Sequence, residues 1–209
     1  MTPDALYTQL IKANAATACN PFDGHVLASV FAAAQVECRA GGSFTDALGI
    51  CGSTLRRNIE VYFPGTLERL ETFKLDVEPT VNEDEKCLRD LLWRFRTAPS
   101  PVSSLLTFLL ARRATRPNHL WQDLGLANRS ELSKLMLRHF APLARRNDQD
   151  MKWKKFFYRM ICRDDGFNMC VAPSCSECGD FDSCFGSESG ESPLAQIRFQ
   201  GETSRLTGI

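Results

Sequence analysis

The chain has 209 residues, which suits one domain of medium size or one domain with a small appended module. Its 25 basic and 25 acidic residues balance to a net charge of zero, whereas proteins whose main partner is nucleic acid need a basic surface. No apolar run reaches the roughly 18–20 residues of a membrane span, and the N-terminus lacks a secretory signal pattern. The sequence therefore predicts a cytoplasmic protein without nucleic-acid or membrane partners.

Helix-start and helix-stop signals follow one another along the chain, and no segment shows the sustained polar–apolar alternation of a half-buried strand. In chain order they predict helices over residues 5–18, 24–39, 43–48, 53–63, 82–96, 101–111, 118–124, 130–140 and 148–163. The predicted capping residues for six of these helices are Thr2, Asp23, Ser43, Asn82, Ser100 and Asn118. The predicted fold class is all-α.

Two pairs of segments in the helical region resemble each other. The first pair is Leu48-Gly49-Ile50 followed by Leu55, Ile59 and Phe63, against Leu124-Gly125-Leu126 followed by Leu132, Met136 and Phe140. The second pair, residues 82–94 and 147–159, aligns without a gap. Two pseudo-repeated halves would explain this pattern, and so would chance, because amphipathic helices resemble one another.

The nine cysteines are unevenly distributed along the chain. Five stand singly among predicted helices, where a cysteine usually behaves as a small buried hydrophobe: Cys19, Cys38, Cys51, Cys87 and Cys162. The other four have the spacing C-x4-C-x2-C-x5-C: Cys170, Cys175, Cys178 and Cys184. A disulfide framework is disfavoured in a cytoplasmic protein, because thiols are kept reduced there. The cluster of four therefore indicates metal binding.

Thiolates are soft ligands that select iron–sulfur clusters, zinc or copper(I). Cys175 and Cys178 can face one centre, and Cys170 and Cys184 can close around it from either side. One short loop supplies all four sulfurs, as in many cluster-binding segments, whereas structural zinc sites usually consist of two separated pairs. The spacing favours a cluster and leaves zinc and redox thiols open. The predicted organisation is a helical domain over 1–168, a cluster-binding loop over 169–186, and a flexible tail over 187–209.

The four-cysteine pattern follows the segment 151–158, Met-Lys-Trp-Lys-Lys-Phe-Phe-Tyr, and lies downstream of 119–126, His-Leu-Trp-Gln-Asp-Leu-Gly-Leu. Together these segments resemble the NifQ family of nitrogen-fixation proteins, a resemblance that extends over roughly residues 5–186. It implies a molybdenum–iron–sulfur cluster, containing iron and molybdenum, from which molybdenum is donated for assembly of the nitrogenase iron–molybdenum cofactor. It also implies that the ligands are Cys170, Cys175, Cys178 and Cys184.

The resemblance further implies partners among the nitrogenase cofactor-assembly proteins, namely the scaffold complex and the nitrogenase reductase. Cys162 is a candidate fifth thiolate, although a partly buried helix cysteine is the alternative. His119 is a candidate imidazole ligand, against the alternative of local hydrogen bonds at a helix start. Three lysines in the basic stretch 145–163 are candidates for docking an acidic partner, against a solvated helix face: Lys152, Lys154 and Lys155.

The predicted function is a metal carrier rather than an enzyme, because the sequence has no recognisable nucleophile–base pair or phosphate-binding loop. Two alternatives come from other classes of protein. One is a zinc-stabilised interaction module. The other is an iron–sulfur redox sensor whose helical hairpins contact DNA as helix-turn-helix units, through Arg56, Arg57, Lys134 and Arg138.

Overall fold

The computed structural model describes residues 1–164 together with Cys184 and Glu188, leaving out the side chains of residues 163 and 164. In this part of the chain the regular secondary structure is entirely helical, which confirms the predicted all-α class. The helices are α1 Pro3–Asn14, α2 Pro21–Arg39, α3 Phe44–Leu48, α4 Gly52–Tyr62, α5 Leu67–Glu71, α6 Glu83–Arg94, α7 Pro101–Ala114, α8 Leu120–Asp123, α9 Arg129–His139, α10 Ala141–Ala144 and α11 Trp153–Asp164.

The centre of the fold is formed by α2 and α7. Residues 26–35 of α2 and 109–114 of α7 are buried without interruption, so these helices must be surrounded on all sides. Helices α1 and α3 pack on α2, while α3 and α6 pack on α7. Phe31 of α2 lies at the middle, with its ring centroid 5.5 Å from that of Phe44 and 5.3 Å from that of Phe63.

Helix α11 is attached to this core through one apolar face. Trp153, Phe156, Phe157 and Met160 are all buried, and their spacing of i, i+3, i+4 and i+7 places them on one side of the helix. This face packs towards α6, which contacts α11 directly. The opposite side of α11 carries Lys155, which is exposed.

Four of the predicted helix caps are confirmed. The Thr2 side chain accepts a hydrogen bond from the Ala5 amide, and the Ser43 side chain accepts one from the Asp46 amide. The remaining two are Asn82, which accepts from the amide of Glu85, and Ser100, which forms a reciprocal capping box with Ser103. Each of these side chains satisfies an amide that has no partner within its own helix.

Other predicted boundaries were wrong, for reasons visible in the structure. Helix α2 is capped by Asn20, and Asp23 is instead buried in its first turn. Helix α11 begins at Trp153 rather than at Asp148 or Asp150, because Asp150 has a left-handed φ of 54° that interrupts a helix. The N-caps of α8 and α9 are His119 and Asn128. The short helices α5 and α10 were not predicted.

The turns at Gly49 and Gly125, which belong to the resembling segments, have the same local geometry. Their φ angles are 68° and 71°, in the left-handed region that glycine adopts at little steric cost. After each glycine, the next amide bonds back to the carbonyl five residues earlier, at 3.1 and 3.0 Å. The helices that follow, α4 and α9, each have 11 residues. A duplication of the two halves stays a prediction.

A helix that crosses a bilayer needs roughly 20 mostly apolar residues. None of the helices within residues 1–164 is both long and apolar enough to span a membrane.

Candidate metal site and its surroundings

The structure describes one of the four predicted thiolate ligands. Cys184 is half-buried and packs against the helical core, and its carbonyl accepts a hydrogen bond from the Lys152 amide at 2.8 Å. Because Lys152 directly precedes α11, the last cysteine of the predicted set lies at the N-terminal end of that helix. The other three, Cys170, Cys175 and Cys178, lie outside the described residues. Among the residues that are described, no three His, Cys, Asp or Glu side chains form a metal-binding group.

The side chain of Glu188, four residues beyond Cys184, is buried against the same part of the molecule. Its Oε1 lies 2.8 Å from Arg129 Nη1 and 3.5 Å from His119 Nδ1. Arg129 is the first residue of α9, and His119 is the N-cap of α8. Residue 188 belongs to the predicted tail over 187–209, and no signal in the sequence indicated Arg129 as part of the site.

Arg129 also holds the chain just before α11. Its Nη2 donates to the Asp150 carbonyl and to Asp150 Oδ1, each at 2.8 Å, and to the Met151 carbonyl at 2.9 Å. The Asn147 side chain fixes the same segment, because it accepts from the Met151 amide and donates to the Met151 carbonyl. The backbone that presents the Lys152 amide to Cys184 is therefore anchored from two sides.

The two candidate auxiliary ligands lie at different ends of this region. His119 is half-buried beside Glu188, and its amide donates to Gln122 Oε1 at 3.1 Å. Cys162 is half-buried near the C-terminal end of α11. Ten helical residues from Lys152 correspond to roughly 15 Å along the axis, so Cys162 and Cys184 stand at opposite ends of α11. A ligand role for either residue stays a prediction.

The three candidate docking lysines have different environments. Lys155 is exposed and Lys152 is half-buried. The Lys154 side chain is 18% exposed, and its Nζ donates to Asp123 Oδ2 at 2.5 Å and to the Arg116 carbonyl. Burial lowers the pKa of Lys154, and the hydrogen bond and charge of Asp123 partly counter that change. The ammonium group of Lys154 is thus engaged in an ion pair with Asp123.

The Lys154–Asp123 pair belongs to a buried network that joins α11 to α7 and α2. Asp123 Oδ1 accepts from Asn118 Nδ2 at 3.0 Å, and the Asp123 carbonyl accepts from Arg113 Nε at 2.7 Å. Arg113 in turn pairs with Glu37, and burial lowers the pKa of this guanidinium. Part of the basic stretch 145–163 therefore contributes to ion pairs inside the fold, as Lys154 does with Asp123.

A groove of about 530 Å³ lies beside the segment that precedes α11. The buried side chains of Met151, Phe156 and Met160 contribute to its lining, together with Arg146 and Arg159. Arg146 is exposed, and its guanidinium carbon lies 4.3 Å from the Phe95 ring centroid. The surface next to the residue that holds Cys184 therefore combines basic groups with apolar contacts.

The described geometry defines an all-helical protein that holds the C-terminal end of a cysteine-rich segment against the start of its last helix. This chain is similar to known proteins in sequence. The NifQ family model matches residues 26–186, which include all four clustered cysteines. No solved structure matches the chain.

Several relatives carry the family name. The protein NifQ homolog of Sinorhizobium fredii is 43% identical over 185 residues, covering 87% of this chain and 79% of the relative. Protein NifQ of Klebsiella pneumoniae is 52% identical over 149 residues, covering 69% and 89%. Protein NifQ of Rhodobacter capsulatus is 42% identical over 153 residues, covering 71% and 82%. The chain belongs to the NifQ family of nitrogen-fixation proteins.

Proposed function

We propose that this protein carries a molybdenum–iron–sulfur cluster and donates molybdenum for assembly of the nitrogenase iron–molybdenum cofactor. The observation that carries the proposal is the four-cysteine pattern inside the segment matched by the NifQ family. The cluster is cargo that the protein takes up and gives away, so the protein acts as a carrier rather than an enzyme. A cytoplasmic location would keep the four thiols reduced and available.

The donor set fits such a cargo. Cys170, Cys175, Cys178 and Cys184 would supply soft thiolates, which suit iron in a sulfide cluster. Since Cys184 lies at the edge of the helical body rather than in its centre, the cluster could be approached from outside without unfolding the core. We therefore expect the described helical body to stay folded when the metal is removed.

Delivery requires docking to the scaffold complex and the nitrogenase reductase, and we place this docking on the basic surface near the start of α11. Lys155, which is exposed, and the half-buried Lys152 are the lysines to test, with the Lys154–Asp123 pair left unchanged. Reversing both charges should slow molybdenum transfer and make it less sensitive to salt, while metal content stays normal. The matched control is Arg57→Glu, an exposed basic residue on α4. If Arg57→Glu slowed molybdenum transfer as much as reversal of Lys152 and Lys155, docking at the start of α11 would be contradicted.

Anaerobic purification with visible absorption and metal analysis tests the proposed function. Charge-transfer bands together with bound iron and molybdenum are expected. A colourless protein with stoichiometric zinc would support the alternative of a zinc-stabilised interaction module instead.

Ligand assignment needs its own variants. Replacing any one of Cys170, Cys175, Cys178 and Cys184 with serine should deplete iron, because the lost thiolate opens the cluster to solvent. The matched controls are serine variants at cysteines elsewhere in the chain: Cys19, Cys38, Cys51 and Cys87. Equal iron loss in both groups would overturn the assignment.

Of the four basic residues named for the alternative of a DNA-binding redox sensor, three have contacts within the described part of the chain, and Arg57 is exposed. Arg56 pairs with Glu71 and Asp76, and Arg138 pairs with Asp23. Lys134 Nζ lies 4.2 Å from the Phe22 ring centroid. Salt-sensitive retention of the cluster-loaded protein by duplex DNA would nevertheless favour the sensor over the carrier.

A further inference from the structure

The side chain of Glu188 is buried, and the stretch of sequence that contains it has few apolar residues. Its side chain is 6% exposed, although the surrounding residues 187–193 are small and polar. Removing a carboxylate from water is unfavourable unless a partner compensates for the lost hydration. The placement of Glu188 therefore depends on what it contacts in the helical body.

Arg129 is the main partner. The 2.8 Å distance between Glu188 Oε1 and Arg129 Nη1 is typical of a charge-assisted hydrogen bond. His119 Nδ1, at 3.5 Å, is too distant for a strong hydrogen bond. Glu188 Oε2 is buried and has no hydrogen-bond partner among the residues that the structure describes. Within the described part of the chain, the carboxylate is thus held by one strong contact.

Arg129 does not depend on Glu188 in the same way. Its other terminal nitrogen keeps three oxygen acceptors, supplied by Asp150 and Met151. Departure of Glu188 would return a carboxylate to water and leave Arg129 with these acceptors. Opening this pair should therefore be easier than breaking a buried pair whose remaining charge has nowhere to go.

The contacts form a closed circuit that includes Cys184. Arg129 donates a hydrogen bond to the Met151 carbonyl, and the amide of the next residue, Lys152, donates one to the Cys184 carbonyl. Glu188 completes the set through its ion pair with Arg129. Glu188 is four residues after Cys184, and an extended chain of that length spans at most about 14 Å. A change at Glu188 therefore acts on Cys184 through a short tether.

We propose that Glu188 is a positioning residue whose ion pair with Arg129 fixes Cys184 and sets the rate at which the cargo leaves. This inference rests on the proposed function, because it takes Cys184 as a cluster ligand. With the pair closed, the Cys184 carbonyl stays on Lys152 and the thiolate is held for the cluster. With the pair open, Cys184 gains freedom while the helical core stays folded.

The test compares wild-type protein with Glu188→Gln, which keeps the shape of the side chain and removes its charge. Cluster-loaded protein is challenged anaerobically with an excess of a ferrous chelator, and iron release is followed optically. We expect equal initial metal content and visible spectrum, but iron release on the order of tenfold faster in Glu188→Gln. Glu188→Asp should restore part of the slow release. Glu68→Gln, an exposed carboxylate on α5, is the control and should release iron at the wild-type rate.

A second measurement does not need cargo. Hydrogen exchange of the metal-free protein reports the Lys152 amide, which should exchange faster in Glu188→Gln than in wild type, whereas the thermal midpoint should stay within a degree or two. Unchanged exchange and unchanged iron release would overturn the positioning role. Faster release accompanied by a large fall in the thermal midpoint would also overturn it, because Glu188 would then be a structural residue. Wild-type protein that binds no iron or molybdenum would refute the proposed function, and the exchange result would still decide whether Glu188 fixes Cys184.

Discussion

Two buried carboxylates, Glu85 on α6 and Glu188 beyond Cys184, are held by arginines in different ways. Their side chains are 3% and 6% exposed, so both have lost nearly all contact with water. Glu85 uses both oxygens: Oε1 accepts from Arg89 Nη2 at 2.5 Å, and Oε2 lies 2.8 Å from Arg112 Nε as an ion-pair contact. For Glu188, the described residues supply one strong partner, Arg129, to one of its two oxygens.

The arginines differ as well. Arg112 is 4% exposed, and besides Glu85 it contacts the Thr80 carbonyl at 2.6 Å and Asp46 Oδ1 at 3.2 Å. Arg129 is 22% exposed and so stays partly hydrated. Loss of Glu85 leaves a buried guanidinium without its buried counter-charge and with almost no access to water. Loss of Glu188 leaves a guanidinium that is partly hydrated and still pairs with Asp150. The first pair can therefore act as fixed structure, and the second is suited to opening and closing.

The largest expected effect is a loss of protein stability when the Glu85 ion pair is removed. Glu85→Gln keeps the volume and removes the charge that compensates Arg112 and Arg89, so unfolding should become easier by about 3–5 kcal/mol. Urea denaturation followed by circular dichroism measures this difference. The matched control is Glu83→Gln on the same helix, where the pair with Lys86 is exposed and should contribute less than about 1 kcal/mol. Similar losses in both variants would remove the distinction between buried and exposed pairs.

Gly49 supports the same pair sterically, and Gly65 provides a control with the same backbone conformation. Both have positive φ, at 68° and 75°, so alanine at either position costs about 1–2 kcal/mol. A Cβ at Gly49 would also lie 2.9 Å from both Arg112 Cβ and Glu85 Oε1, whereas none of the described atoms lies within 4 Å of one at Gly65. Gly49→Ala should therefore lower the free energy of unfolding by about 1–3 kcal/mol more than Gly65→Ala does. Denaturation midpoints that coincide would show that the pair can shift to make room.

Lys154 and Lys155, adjacent on α11, allow the same comparison of a buried with an exposed charge within the basic stretch. Lys154→Met leaves Asp123, which is buried, with Asn118 as its remaining described side-chain partner. We expect a loss of about 2 kcal/mol, less than for Glu85 because Lys154 keeps some exposure. Lys155→Met, on the exposed face, should change stability by less than about 0.5 kcal/mol. A stable Lys154→Met protein that delivers molybdenum slowly would instead assign Lys154 to docking.

Local sequence signals predicted the helical body well, because a helix cap and its amide lie within a few residues. Thr2, Ser43, Asn82 and Ser100 were identified in this way. The turn glycines also have local signatures, since a left-handed residue after a short helix favours glycine.

Contacts between residues distant in the chain leave little trace in the local sequence pattern. Asp23 looked like an N-cap, but it accepts hydrogen bonds from Arg138 and His139, more than a hundred residues away. Lys154 looked solvated, although its partner Asp123 is 31 residues away. Glu188 looked like part of a tail, and no periodicity or motif indicates that it reaches Arg129. The clustered cysteines were recognisable because their spacing is itself the signal.

The smallest expected effect is chemical and concerns two scattered cysteines, which differ as the two carboxylates do in how well their charged forms are satisfied. Cys51 Sγ lies 3.2 Å from Thr54 Oγ1 and 3.6 Å from Ser53 Oγ, and these hydroxyls hold the pKa of Cys51 below its ordinary value. Burial raises the pKa of the Cys38 thiol to about 11, because the thiolate there loses hydration. At pH 8 iodoacetamide should therefore modify Cys51 at least about tenfold faster than Cys38, since the thiolate is the reacting form. As pH rises, the rate at Cys51 should level off at a lower pH than for a thiol of ordinary pKa, while the rate at Cys38 should keep rising towards its pKa of about 11. Mass spectrometry of digested protein assigns the label, with Cys51→Ser as the control and exposed Cys87 as the reference for access. Equal rates at pH 8 and parallel pH profiles would show that the hydroxyls beside Cys51 do not stabilise its thiolate.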